Sequence, residues 1–255
     1  MIDIHSHILP GIDDGAKSLE DSLEMARAAV KEGITTIIAT PHHMNGKYEN
    51  DKEAILPLVE ELNREIEKEG IPLEVLPGQE TRIYGELVED YREGKLLTLG
   101  GSTSYLFIEF PSGSVPRYSD RLLFDLQQEG ITPVIVHPER NAELIERPDK
   151  LYKLVKNGAL TQVTGASLTG YFGKKIQKFS HQMIESNLAH FVASDAHNTT
   201  SRTFKMEEAL NDIEKRYGVD MIYYFKENAE LLVDHKTVYR EIPEPIKKKK
   251  FLGLF

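Results

Sequence analysis

Residues 2–7, Ile-Asp-Ile-His-Ser-His, join a short apolar run to two histidines. The run is short and apolar, as is typical of a strand in a parallel sheet that is covered on both faces. Similar runs, several of them ending in a charged or imidazole side chain, recur along the chain. Seven runs are predicted strands: Ile2–Ile4, Thr36–Thr40, Leu73–Leu76, Leu106–Phe110, Pro133–Val136, Leu160–Val163 and Phe191–Ala193.

Amphipathic segments separate these runs. Residues 18–32 are a predicted helix, with Ser18 as its cap and Gly33 as its stop. A second apolar stripe covers residues 55–66, with Pro57 near the start of the helix, and residues 120–129 form a third helix. The tripeptide Glu-Gly-Ile, at 32–34, 69–71 and 129–131, ends a helix and begins a strand each time.

About seven βα units in succession predict an α/β barrel related to the TIM type. A doubly wound open sheet is the alternative, although no glycine-rich phosphate loop follows any predicted strand. We expect a single domain over residues 1–241. Residues 242–255 contain four consecutive lysines followed by apolar residues, and are predicted to be a basic-apolar tail, either a solvated terminus or a contact for an acidic partner or an anionic membrane surface.

The composition excludes several classes of function. The 255 residues carry 41 acidic and 31 basic side chains, a net charge of -10, which disfavours nucleic-acid binding and suits the capture of cations. The chain has no cysteine, so disulfides, thiolate metal sites and a thiol nucleophile are excluded. Residues 1–11 lack a basic and apolar signal pattern, and no run is long enough to span a bilayer, so we expect a cytoplasmic protein.

Ionisable residues gather where the predicted strands end. These residues are His5 and His7, His42 and His43, Glu80, Glu109, His137, and Asp195 with His197. The carboxyl ends of parallel barrel strands meet on one face, and a buried set of carboxylates and imidazoles is costly unless it is shared by metal ions. Mixed nitrogen and oxygen ligands favour Mn²⁺, Fe²⁺ or Zn²⁺. His43 is expected to be exposed or outside the ligand set, and His181, His190 and His235 are expected to be structural.

At these positions the chain resembles the PHP (polymerase and histidinol phosphatase) superfamily. The motifs are His5-Ser-His7, His42, Glu80, His137 and Asp195-Ala-His197. Residues 5–15, 39–43 and 137–140 are similar to the PHP-type protein-tyrosine phosphatases of Gram-positive capsule and exopolysaccharide loci. The resemblance implies a distorted (β/α)7 barrel, a cluster of up to three metal ions, typically Mn²⁺ with Fe or Zn possible, and phosphotyrosine substrates on a bacterial tyrosine kinase and its targets.

The resemblance also implies a role for each site residue. One metal would be held by His5, His7, Glu80 and Asp195, a second by Glu80, Glu109 and His137, and a third by Asp14, His42 and His197. Asp13 is the alternative to Asp14. Arg140 and Arg202 would bind the phosphoryl group, for which a guanidinium has a fork that lysine lacks.

The expected reaction is hydrolysis of phosphotyrosine by metal-activated water, without a phosphoenzyme. Residues 110–117 could form an aromatic and proline rim for the tyrosine ring, or a plain surface loop. The main alternative is a small-molecule phosphatase of the same superfamily, such as a histidinol-phosphate phosphatase. A metal-dependent exonuclease and a non-catalytic binding module are the further alternatives.

Overall fold

The computed structural model describes residues 1–247 of the chain. Its strands are β1 Ile2–Ser6, β2 Thr36–Ala39, β3 His42–His43, β4 Glu74–Pro77, β5 Glu80–Arg82, β6 Tyr105–Glu109, β7 Thr132–Val136, β8 Leu160–Thr164 and β9 Phe191–Ala193. Its helices are α1 Leu19–Lys31, α2 Lys52–Lys68, α3 Leu87–Arg92, α4 Ser119–Gln128, α5 Ala142–Glu146, α6 Pro148–Lys156, α7 Gly165–Leu168, α8 Lys174–Glu185, α9 Met206–Tyr217 and α10 Val219–Val233. Short 3₁₀ turns cover Leu99–Gly101 and Pro138–Arg140.

The strands form a closed parallel barrel. They pair in two sheets, in the orders β1-β2-β4 and β3-β5-β6-β7-β8-β9, and every pair is parallel. The ring closes between β1 and the segment after β9, where the Asp195 amide donates to the His5 carbonyl at 2.9 Å and the His7 amide to the Ala196 carbonyl at 2.8 Å. The prediction of a seven-position barrel is confirmed, and the open-sheet alternative is wrong.

Two positions of the barrel are each divided into two strands, which the sequence did not predict. β3 follows β2 after only Thr40 and Pro41, and β5 follows β4 after Gly78 and Gln79. The two breaks lie side by side, since β2 pairs with β4 before them and β3 with β5 after them. Gly78 allows the close approach, because a Cβ there would lie 2.6 Å from the Ile38 side chain. The ring is therefore distorted at these two neighbouring positions.

Capping and glycine stops define the helices much as predicted. The Ser18 hydroxyl accepts a hydrogen bond from the Asp21 amide at 3.2 Å. Gly33, Gly70 and Gly130 all have positive φ, at 79°, 63° and 78°, which explains the repeated Glu-Gly-Ile sequence. Pro57 differs from expectation, because it is the sixth residue of α2 and lies in the second turn rather than at the start.

The core has two layers. Side chains such as Ile4, Phe107 and Phe191 fill one hydrophobic cluster, and a larger cluster joins alternate strand residues such as Ile37 and Ile108 to the helices. β1 contributes to the site as well as to the core, because its register against β2 shifts between Asp3 and Ser6. Such an irregularity re-aims side chains.

The end of the described chain runs along α8. The Glu244 amide donates to the Ser186 carbonyl at 2.8 Å, and the Asn187 side chain donates to the Ile242 carbonyl at 3.0 Å. Residues 248–255, which hold most of the predicted basic-apolar tail, lie outside the described residues. Among residues 1–247, every helix is too short or too polar to cross a bilayer.

Candidate metal centre

The structure brings the nine predicted ligand residues together at the carboxyl end of the barrel. Glu80 lies at the centre. Its Oε1 is 2.7 Å from Nε2 of His137, and its Oε2 is 2.9 Å from Nδ1 of His42 and 3.3 Å from Nε2 of His7. Residues that are up to 192 positions apart in the sequence therefore share one site, as the convergence of parallel strand ends predicts.

Three groups of side chains place ligand atoms within 4.8 Å of one another. They are His5, His7 and Glu80; His42, Glu80 and Glu109; and His7, Asp14, His42 and His197. Asp195 adjoins the first group, with Oδ1 3.3 Å from Nε2 of His7 and 3.5 Å from Nε2 of His5. The groups differ from the sets implied by the family resemblance, because His7 and His42 each belong to two of them and His137 and Asp195 belong to none.

Buried polar atoms without partners give an independent test of whether cations fit this site. Among residues 1–247, six ligand atoms of the cluster are buried and form no hydrogen bond: Nε2 of His5, His7 and His197, Nδ1 of His42, Oδ1 of Asp14 and Oε2 of Glu80. Leaving such groups unsatisfied is costly, and buried polar groups without partners are rare. A mixed imidazole and carboxylate set that converges in this way fits first-row divalent cations.

The other ring nitrogens of the histidines are held by neighbours. Asp13 Oδ2 lies 2.7 Å from Nδ1 of His7, and Gln162 Oε1 lies 2.9 Å from Nδ1 of His5. Both oxygens accept from Nδ1–H, which leaves Nε2 of each ring as a lone-pair donor toward the cluster. The sequence left Asp13 and Asp14 as alternatives. Here Asp13 orients an imidazole, while Asp14 faces the cluster at 3.4 Å from Nε2 of both His42 and His197.

Two site residues have strained backbones. Asp195 has φ of 53° and His137 has φ of 34°, in the left-handed region that non-glycine residues seldom occupy. Such conformations cost on the order of 1–3 kcal/mol and persist where the surrounding structure holds them. For Asp195 that support is its amide hydrogen bond to β1, which fixes the carboxylate beside His5 and His7.

The electrostatics of the cluster favour the anionic forms of Glu80 and Asp195 and disfavour that of Glu109. Burial disfavours the charged form of Glu80, but the nearby His42 holds its pKa well below its usual value. Burial acts in the same way on Asp195, and there Arg140 lowers the pKa. Although burial opposes its charge, Glu80 raises the pKa of His42 to about 10. The pKa of Glu109 is raised to about 7, mainly by burial and secondly by the charge of the nearby Glu80 carboxylate.

Arg140 and Arg202 stand beside the cluster. An Arg140 Nη atom lies 2.6 Å from Asp195 Oδ2, and an Arg202 Nη atom lies 3.2 Å from the same oxygen. Both guanidinium groups line an open cavity of about 250 Å³ together with His42, Glu109, Phe110, Ser112, Val136, His137, Pro138, Asn141 and Asp195. The cavity therefore joins metal-ligating atoms to two fixed cations, which suits an anionic substrate.

Sequence reasoning missed three contributors. Arg82 donates two hydrogen bonds to Glu109, at 2.9 and 3.0 Å, and Gln162 orients His5. Tyr48 lies nearly parallel to the His42 ring, with centroids 6.2 Å apart. An arginine or a glutamine inside a strand gives no periodicity signal of its own, so these contacts become visible only once the strands are paired.

Residues 110–117, which the sequence suggested as a rim for the tyrosine ring, are divided between two cavities. Phe110 and Ser112 line the cavity beside the cluster, whereas Val115, Pro116 and Arg117 line a separate one. His43 is buried against the Tyr84 ring, outside the three ligand groups. His181, His190 and His235 also lie outside these groups.

Comparison with known proteins places this geometry in a family. The family described as "Capsular polysaccharide synthesis, CpsB/CapC" matches residues 1–234. The tyrosine-protein phosphatase YwqE of Bacillus subtilis is 53% identical over 255 residues, covering 100% of both chains. The tyrosine-protein phosphatase CpsB of Streptococcus pneumoniae is 34% identical over 241 residues, covering 92% of this chain and 96% of that protein.

A solved structure agrees with both sequence comparisons. It comes from crystal structures of YwqE from Bacillus subtilis and CpsB from Streptococcus pneumoniae, described as unique metal-dependent tyrosine phosphatases. The TM-score is 0.95 at 54% identity, and the match covers 97% of this chain and 100% of that chain. With matches of this extent in both sequence and structure, the chain belongs to the CpsB/CapC family of capsular polysaccharide synthesis.

Proposed function

We propose that this protein is a metal-dependent protein-tyrosine phosphatase that hydrolyses phosphotyrosine monoesters. One observation carries the proposal: four of the cluster residues, His42, Glu109, His137 and Asp195, line the same cavity as Arg140 and Arg202, and the cluster holds six buried ligand atoms without partners. The relatives named tyrosine-protein phosphatases support this substrate over histidinol phosphate. The absence of cysteine from the sequence excludes the thiolate mechanism.

The proposed ligand sets are those that the family resemblance implies. His5, His7, Glu80 and Asp195 would hold one ion, Glu80, Glu109 and His137 a second, and Asp14, His42 and His197 a third. Contacts of Glu80 with His7, His42 and His137, all within 3.3 Å, support its role as a shared ligand. Mn²⁺ is the proposed metal, with Fe or Zn as alternatives, because the donors are imidazole nitrogens and carboxylate oxygens without thiolate.

The residues of the chain divide the chemistry between them. Bound divalent ions supply Lewis acidity and lower the pKa of water. Arg140 and Arg202 bind the phosphoryl oxygens and stabilise the charge that develops on them. Asp195 contacts both guanidinium groups and so fixes the distance between the arginines and the cluster. Phe110, Val136 and Pro138 supply apolar wall to the cavity.

Membership of the family supports a proposed biological setting. The substrates are tyrosine-phosphorylated proteins, among them a bacterial tyrosine kinase, and the activity regulates capsule or exopolysaccharide synthesis in the cytoplasm. The net charge of -10 argues against nucleic acid as a partner. Residues 1–241 are the proposed catalytic domain, and residues 242–255 a basic-apolar extension that is either a solvated terminus or a contact for an acidic partner or an anionic membrane surface.

The test is hydrolysis of a phosphotyrosyl peptide before chelation, after chelation and after Mn²⁺ is restored. Wild-type protein should lose activity with chelator and recover it with Mn²⁺, while His42→Ala and Glu80→Ala should not recover. His235→Asn is the matched control, because His235 is exposed and lies outside the three groups. Faster turnover of histidinol phosphate than of the peptide would refute the proposed substrate, and full activity in chelator would refute the metal dependence.

A further inference from the structure

The loop between α7 and α8 presents two aromatic side chains at the end of the barrel that holds the cluster. α7 follows β8 directly, and residues 169–173 read Thr-Gly-Tyr-Phe-Gly. Gly170 and Gly173 both have positive φ, at 85° and 95°, and the Gly173 amide donates to the Gly170 carbonyl at 2.9 Å. The resulting turn holds the Tyr171 and Phe172 rings edge to face, with centroids 5.1 Å apart.

Hydrogen bonds tie this loop to the segment that carries Arg140. The neighbouring Glu139 is fully buried, and its Oε1 accepts from the Ser167 hydroxyl at 2.7 Å and from the Thr164 amide at 3.0 Å. The Tyr171 amide donates to the Ala166 carbonyl at 3.0 Å. The loop and Arg140 are therefore held in a fixed relation by contacts that do not involve any ligand.

Phe172 lies against the guanidinium of Arg140. The Arg140 Cζ atom is 5.3 Å from the centroid of the Phe172 ring, within the range of a cation–π contact. Arg140 also lines the cavity and is paired with Asp195 at 2.6 Å. Since charge-assisted hydrogen bonds to phosphate are about 2.8 Å long, a phosphoryl group bound by Arg140 contacts the same guanidinium that the Phe172 ring contacts.

Tyr171 leaves apolar surface free next to Phe172. Its side chain is 49% exposed, although a tyrosine ring usually gains from burial. The Lys205 ammonium lies 5.7 Å from the Tyr171 centroid. Phe110, in contrast, is only 5% exposed and lies inside the cavity with the phosphoryl-binding groups. Tyr171 and Phe172 are not among the residues that line the cavity, and their accessible aromatic surface adjoins it through the contact of Phe172 with Arg140.

We infer that Phe172 and Tyr171 form a subsite for the aromatic ring of the substrate and select aryl over alkyl phosphate esters. The inference rests on the proposed function for its substrate class. In phosphotyrosine the ring is bonded directly to the ester oxygen, so a phosphoryl group bound by Arg140 carries that ring close to the guanidinium that Phe172 contacts; an aromatic pair there would have a centroid separation of 4.5–7 Å. Serine and threonine phosphates have no ring to place there.

The test uses two phosphonates that are not hydrolysed, phenylphosphonate and methylphosphonate, bound to the metal-loaded protein and measured by calorimetry. The wild type should bind phenylphosphonate about tenfold more tightly than methylphosphonate, the scale of one aromatic pair with its buried area. In Phe172→Leu and Tyr171→Leu this ratio should fall toward one. Tyr223→Leu is the control, since Tyr223 is 56% exposed on α10 and lies outside the 169–173 loop.

Each other outcome is decisive. If the dissociation constants of both phosphonates rise by the same factor in Phe172→Leu, then Phe172 only positions Arg140 and the subsite is refuted. A wild-type protein without preference for the phenyl group also refutes it, even if phosphotyrosine is hydrolysed. A protein with the phenyl preference but no phosphotyrosine hydrolysis retains the subsite and loses the proposed function.

Discussion

Asp13 and His7 form a buried pair in which a carboxylate oxygen lies 2.7 Å from the ring nitrogen that faces away from the cluster. Asp13 also accepts hydrogen bonds from the Gly15 amide at 2.8 Å and the His42 amide at 3.1 Å. One carboxylate therefore sets the orientation of a ligand ring and the backbone position of a second ligand. Its effect on metal binding should be large although it does not face the ions.

Asp13→Asn should lower metal affinity by about 10- to 100-fold, the usual cost of losing a group that orients a ligand. The amide keeps the shape of the side chain but cannot accept as strongly from His7 Nδ1–H. Metal titration of the chelated protein, followed by calorimetry, measures the change. Asp220→Asn, on the first turn of α10, serves as the control. If Asp13→Asn and the wild type bind metal with equal affinity, then Asp13 does not orient His7 for metal binding.

Arg140→Lys and Arg202→Lys should each lower kcat/KM for a phosphotyrosyl peptide by about 100-fold, because a point charge replaces a planar fork at the developing phosphoryl charge. The inhibition constant of inorganic phosphate should rise in both variants. Arg121→Lys is the matched control, since Arg121 is 78% exposed and pairs with Asp125. An effect no larger than that of this control would rule out phosphoryl binding by these residues.

Gly15→Ala should disrupt the site through its backbone. A Cβ at Gly15 would lie 2.0 Å from the His7 carbonyl oxygen, so the segment that carries Asp13 and Asp14 would have to move away from β1. We expect lower metal occupancy, measured by elemental analysis, and a lower melting temperature for the loaded protein. Gly85→Ala, which meets no atom within 4 Å, should behave like the wild type. Full occupancy in Gly15→Ala would contradict the close approach.

His190 should make the protein less stable in acid. Burial, together with the charge of Arg240, lowers its pKa to about 3, from 6.5 in the unfolded chain. Below pH 6.5 the unfolded state therefore binds a proton that the folded state does not, and the free energy of unfolding falls as the pH falls toward 3. The limiting slope is about 1.4 kcal/mol per pH unit.

His190→Asn isolates this contribution. The asparagine can still accept from the Thr161 amide, as His190 Nδ1 does at 3.1 Å, but it does not titrate. Between pH 7 and pH 5, urea unfolding in chelator should show the wild type losing about 1 to 2 kcal/mol more than the variant. Parallel losses in the two proteins would show that His190 is protonated in the folded state.

The sequence allowed the architecture and the membership of the site to be predicted, since both follow from simple rules. Parallel strands end on one face, so His5, Glu80 and Asp195 could be placed together without coordinates. The breaks after β2 and β4 could not, because they depend on how Gly78 packs against Ile38. They put His42 and Glu80 in short strands of their own rather than at strand ends.

The orientation of the ligands also lay beyond the sequence. Gln162 reaches His5 across 157 residues, and the choice between Asp13 and Asp14 depended on which carboxylate faced inward. The left-handed backbone at His137 and Asp195 has only a weak propensity signal, since histidine and aspartate adopt that conformation far less readily than glycine does. These features arise from tertiary contacts, which override local preference.

Glu80 touches His7, His42 and His137 at once, and His7 and His42 each border two ligand groups. Because these ligands are shared, the three metal positions cannot bind their ions independently of one another. Replacement of one shared ligand should weaken metal binding at every position that it borders. The loss of binding free energy in a double substitution should therefore be much smaller than the sum of the two single losses. Titration of the empty protein would then be cooperative, with a single steep step in place of three separate ones.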